Sequence, residues 1–68
     1  MIQFEFVDED GVLKFVQVIE VFTHHYTGEM MRRVRIDYLG PMTGTARTDY
    51  TVFNEERFNS LLERRVND

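Results

Sequence analysis

The final stretch of the chain, from Asn54 to about Val66, has apolar residues at the helical period, and whatever precedes it must give that stripe something to pack on. Phe58, Leu61, Leu62 and Val66 recur three and four residues apart, the spacing that lines one face of an α-helix. Asn54 is a favoured N-cap, because its side-chain oxygen accepts from the free N–H groups of a first turn. Glu55 and Glu56 follow where the helix dipole favours negative charge, and Arg64 and Arg65 fall towards the opposite end. Phe53 precedes the cap and Phe58 lies four positions after it, the spacing of a hydrophobic staple.

The preceding residues change to a period of two. Ile2, Phe4 and Phe6 alternate with Gln3 and Glu5, which predicts a first strand. Asp8-Glu9-Asp10-Gly11 supplies a turn, since aspartate bonds its own backbone and glycine accepts positive φ. Val12 to Phe22 is β-branched and aromatic, with Leu13, Phe15, Ile19 and Val21 sharing one face with Gln17. The other face carries Val12, Val16, Val18 and Phe22 beside Lys14 and Glu20, more apolar surface than a solvated face needs. Either the strand bends at a bulge and curls the sheet, or both of its faces are covered.

Thr23 to Glu29 reads as a loop around Gly28, and Met30 to Leu39 as a third strand with Val34, Ile36 and Tyr38 inward and Arg33, Arg35 and Asp37 outward. Gly40-Pro41-Met42-Thr43-Gly44 forces a turn. Ala46 to Phe53 then alternates, with Ala46, Thr48, Tyr50 and Val52 opposed to Arg47, Asp49 and Thr51. The expected fold is α+β: one domain over residues 1–68, β-β-β-β-α, a four-stranded antiparallel sheet, flat or curled into a half-barrel, with the helix laid across one face.

At 68 residues without cysteine, the chain has no disulfides, and its two histidines are too few for a tetrahedral zinc cage. Its stability must come from packing or from a partner subunit. No stretch is long enough to span a bilayer, and Met1-Ile2-Gln3-Phe4 lacks the basic and apolar regions of a secretory leader. With the missing cysteines, this points to the cytoplasm. The net charge of −4 argues against a general nucleic-acid coat. Charge is uneven, however: residues 31–68 carry seven arginines against six acids.

Individual residues carry little chemistry. Asp8, Asp10 and Gly11 suggest a calcium loop, but its twelfth position would be Ile19, an apolar strand residue. His24 and His25 are adjacent, so on an extended chain their rings point apart, and no third ligand is marked. Ser60 has no neighbouring base, and the glycines lack the lysine of a phosphate loop. No catalytic group, cofactor or metal is expected.

Two binding surfaces remain. The first is apolar: if the second strand is straight, Val16, Val18 and Phe22 lie on the sheet face away from the helix, joined by His25, Tyr26 and Met31, a set suited to a protein partner or a second copy of the chain, whereas a curled sheet would bury the same valines without any partner. The second is a basic stripe of Arg32, Arg33, Arg35 and Arg47, which would serve nucleic acid if Asp37 and Asp49 did not neutralise it. The reading that follows is a non-enzymatic protein-interaction module: a small acidic regulator, adaptor or inhibitor of the kind viruses and mobile elements use to block host enzymes. Nucleic-acid binding is its rival.

Overall fold

A computed structural model describes residues 2–66. The strands are β1 (Gln3–Val7), β2 (Leu13–Thr23), β3 (Met30–Leu39) and β4 (Ala46–Asn54), followed by one helix, α1 (Glu55–Glu63). The strands form an antiparallel meander in the order β1-β2-β3-β4. The sheet is not closed into a barrel, and β1 and β4 are its edges.

The core lies between α1 and one sheet face: Phe6, Val16, Val18, Val34, Ile36, Phe53 and Phe58 are buried, with Phe4, Tyr38, Leu61 and Leu62 packed around them. This places Val16 and Val18 on the core face of the sheet, the side on which α1 packs, not on the face away from it. A bulge separates them from Phe22. Val18 pairs with Val34, but the next ladder position joins Glu20 to Arg33, so Ile19 is an extra residue in β2. One inserted residue reverses the alternation. Before it, Lys14, Val16 and Val18 face α1 while Leu13, Phe15 and Gln17 face away; after it, Val21 lies on the α1 side opposite Arg32, and Glu20 and Phe22 on the other. β2 carries apolar residues on both faces to either side of the bulge: Leu13 and Phe15 opposed to Val16 and Val18 before it, and Phe22 opposed to Val21 after it.

The helix begins as its sequence requires. Asn54 Oδ1 accepts from the Arg57 N–H at 2.9 Å, and the staple residues Phe53 and Phe58 are both buried. Phe58 meets Phe4 edge-on, with ring centroids 5.8 Å apart. The far end is shorter than the spacing predicts. Helical structure stops at Glu63, the Arg64 N–H bonds back to Leu61 at 3.0 Å, and Arg64 and Arg65 therefore lie beyond the last turn. Val66 does not continue the apolar stripe. Its N–H donates to Glu5 C=O at 2.9 Å and the Val7 N–H donates to Arg64 C=O at 3.3 Å, so the segment after the helix lies along the outer edge of β1.

The β2–β3 and β3–β4 loops share one construction. In His24–Glu29 and in Gly40–Thr45 the first residue's N–H bonds the sixth residue's carbonyl, at 2.7 and 2.8 Å. In both, the fifth residue is a glycine with positive φ, Gly28 at 71° and Gly44 at 67°, whose N–H bonds the first carbonyl at 2.8 Å. The fourth is a threonine whose Oγ1 accepts from the sixth N–H at 3.2 Å. A Thr-Gly pair thus closes each hairpin, glycine taking the left-handed position that side chains resist.

Candidate interaction surface

The sheet face opposite α1 is uncovered by any described element, and the register fixes which side chains meet on it. Val7 pairs with Leu13 and Leu39 pairs with Ala46, and Leu13 and Leu39 each lie one residue beyond the Lys14–Tyr38 pair that ends the β2–β3 ladder, so apolar residues from all four strands come to the same end of this face. Leu13 is 50% and Leu39 61% exposed. Next to this group lie Glu5, Phe15, Asp37 and Thr48, then Gln3, Gln17, Arg35 and Tyr50. Beyond the bulge come Glu20, Arg33 and Val52, and last Phe22 and Met31. Apolar ends flank a charged belt.

The belt is neutralised pairwise. Arg33 Nε meets Glu20 Oε1 at 3.2 Å and Arg35 Nε meets Asp37 Oδ2 at 3.1 Å. The Thr48 hydroxyl donates to Asp37, and this bond, with the neighbouring Arg35 charge, holds the Asp37 carboxyl below the ordinary aspartate range. The acid therefore stays ionised beside its arginine.

The anticipated arginine stripe is not assembled. Arg47 pairs with Tyr38 and Asp49 with Ile36, so both lie on the α1 side, away from Arg33 and Arg35. Arg32 is also on the α1 side, where its guanidinium stacks 4.4 Å from the Phe58 ring centroid and NH1 pairs with Glu55 at 2.7 Å. It fastens the helix to the sheet and is withdrawn from any ligand. Only Arg33 and Arg35 remain on one face, each with an acid.

The apolar set divides. Val16 is fully buried and Val18 is 7% exposed, so neither can touch a partner. Phe22 and Met31 do share the open face, opposite one another, with Arg33 stacked 5.3 Å from the Phe22 ring. His25 and Tyr26 sit in the β2–β3 loop with ring centroids 4.6 Å apart, and Tyr26 is 88% exposed. Sequence reasoning missed Leu13, Phe15, Leu39 and Tyr50. The period-two pattern contained Leu13 and Phe15 but assigned them to the inward side; apolar residues on both faces of this strand signalled a bulge without locating it at Ile19.

The polar clusters have internal partners. His24 Nδ1 accepts from the N–H groups of Tyr26 and Thr27 at 3.2 and 3.4 Å, serving the loop. Lys14 Nζ lies 2.6 Å from Asp8 Oδ2 and 3.4 Å from Asp10 Oδ2, so an ammonium occupies the place a cation would take in the first turn. That hydrogen bond lowers the Asp8 pKa. Burial opposes the Lys14 charge, yet its bonds and attraction to Asp8 and Asp10 outweigh it and raise the Lys14 pKa. The Ser60 hydroxyl donates to the Glu56 carbonyl one turn back. Among the described residues, no three His, Asp or Glu side chains gather into a metal-binding group, and no helix is long and apolar enough to cross a membrane.

Compared with protein families, curated proteins and solved structures, the chain matches none.

Proposed function

We propose that this chain is a non-enzymatic protein-interaction module, a small acidic regulator or adaptor working in the cytoplasm, whose working surface is the sheet face opposite α1. The carrying observation is the group Val7, Leu13, Leu39 and Ala46, which presents apolar side chains from every strand on a face that no described element covers. Contiguous apolar surface of this sort is rare on monomers unless it binds something. The flanking belt gives such an interface orientation: Arg33 with Glu20 and Arg35 with Asp37 form a polar region that a partner must match.

The chain's dimensions support the same reading. Its radius of gyration is 12.8 Å, whereas a self-sufficient domain of this length would measure about 11 Å. The excess follows from the β2–β3 arm, which runs past the start of β1 at Gln3 and its partner Gln17. A surface that extended reaches a partner well but covers its own core poorly.

The test is affinity capture from the native host with wild-type chain and with Leu13→Asp/Leu39→Asp, followed by salt titration against double-stranded nucleic acid. A protein captured by the wild type and lost by the variant supports the reading. Tight nucleic-acid binding that weakens steeply with salt, with no protein captured, overturns it in favour of a phosphate reader.

A further inference from the structure

The two edges of the sheet are treated differently. β1 is five residues long, and its outer side is bonded by the segment after the helix, through Arg64 C=O and the Val66 N–H. β4 is nine residues long and, among the described residues, no strand lies on its outer side. Its pairing with β3 shows no register shift, it contains no proline, and every residue from Ala46 to Val52 is exposed. Natural edges are ordinarily shortened, bulged or covered. This one is long, regular and open.

The hydrogen-bonding phase of β4 is fixed by the Gly40 N–H bond to Thr45 C=O. Alternate residues of an antiparallel strand face the same neighbour. Arg47, Asp49, Thr51 and Phe53 therefore direct their backbone groups to β3, and Ala46, Thr48, Tyr50 and Val52 direct theirs outward.

The side chains restrict what can pair there. Arg47 and Asp49 lie two residues apart on the same face of β4 and take part in no ion pair among the described residues. We infer that a second copy of this chain pairs antiparallel with β4 across a two-fold axis at Thr48, joining two sheets into one of eight strands. That register sets Arg47 opposite Asp49 of the other copy, and Asp49 opposite its Arg47, both at closely spaced non-hydrogen-bonded positions. Ala46 then lies beside the exposed ring of Tyr50. Neighbouring registers are worse: an axis at Asp49 or at Arg47 sets like charges face to face, and an axis at Tyr50 leaves both charges without an opposite. An isologous contact of this kind closes at two copies and leaves no further edge of β4 open. Its register is set by the backbone of the edge and by Arg47 and Asp49 on the α1 side, so it stands independently of the proposed function.

The absence of cysteine from the chain makes the register directly readable. Thr48→Cys places two thiols at the axis, and mild oxidation is expected to give a covalent dimer, whereas Tyr50→Cys is not. Sedimentation equilibrium of the wild type is expected to show a concentration-dependent dimer. Arg47→Asp and Asp49→Arg should each weaken it by roughly tenfold, as two attractive pairs become repulsive, and the double swap Arg47→Asp/Asp49→Arg should restore it. Circular dichroism confirms that the variants remain folded, since both positions are exposed. A wild type that stays monomeric at its highest soluble concentration overturns the inference. So does a double swap no better than either single change, or a Tyr50→Cys variant that cross-links more readily than Thr48→Cys.

Discussion

The Arg32 guanidinium lies over the Phe58 ring, 4.4 Å from its centroid, and binds Glu55 at 2.7 Å, so a single β3 side chain grips both the first turn of α1 and its most buried residue. Arg32 Nε is also buried without a hydrogen-bond partner. The contact therefore combines a favourable stack with an unsatisfied donor, and the apolar stem contributes much of its worth. Truncation by Arg32→Ala is expected to cost about 2 kcal/mol, through lost stacking and packing. Arg32→Met keeps the stem and removes the unsatisfied donor, so it should cost less than half as much. Urea unfolding of the three proteins measures both differences, and equal losses for the two variants would contradict this account of the clamp.

The bulge at Ile19 makes a sharp division along β2. Val16 faces the core and Leu13 the open side, so Val16→Ala should cost roughly 2 kcal/mol, as expected for a buried aliphatic truncation. Leu13→Ala should stay within about 0.5 kcal/mol. Denaturant midpoints in the reverse order would place the helix on the other face.

The helix start was legible in the sequence because its signals are local: the Asn54 cap, the two glutamates and the Phe53 and Phe58 staple act within one turn. So was the antiparallel meander, since alternation and turn residues are also short-range. The faces of β2 were not. A bulge is a relation between strands, and only the ladder, where Val18 meets Val34 and Glu20 meets Arg33, shows that the alternation reverses at Ile19. The arginine stripe failed for a similar reason. Whether Arg47 sits with Arg33 or with Arg32 depends on how the β3–β4 loop sets the register. The Gly40–Thr45 closure pairs Tyr38 with Arg47 and so sends it to the α1 side.

Those loops carry their own prediction. Gly28 and Gly44 have φ near 71° and 67° with open space around the position a Cβ would take, so alanine meets no steric neighbour and the penalty is purely conformational. Gly28→Ala and Gly44→Ala should each cost about 1 kcal/mol, and the matched construction predicts equal losses. Thermal unfolding of each variant, showing one loop insensitive, would break that equivalence.

The Lys14 and Asp8 pair should make stability depend on pH at both extremes. Asp8 has a lowered folded pKa, so its contribution is present above the ordinary unfolded value of about 3.9 and is lost as pH falls through the lowered one. Lys14 has a raised folded pKa, so its contribution is full below about 10.4 and is lost as pH rises through the raised one. Because Asp8 is partly solvated, the pair is worth at most about 1 kcal/mol near neutrality. Lys14→Met should therefore be less stable than wild type at pH 7, with the gap closing at about pH 2. A gap that persists in acid would mean that the lysine stem, not the ion pair, is responsible.

The central claim is that the face bearing Leu13, Phe15, Leu39 and Tyr50 is the working surface, and chemical-shift mapping of the isotope-labelled chain against its captured protein partner tests it most directly. The account predicts perturbations concentrated at those four residues and at Val52, with Glu56, Asn59 and Glu63 on the solvent side of α1 unmoved. Perturbations confined to the helix residues, with the open sheet face unchanged, would contradict it.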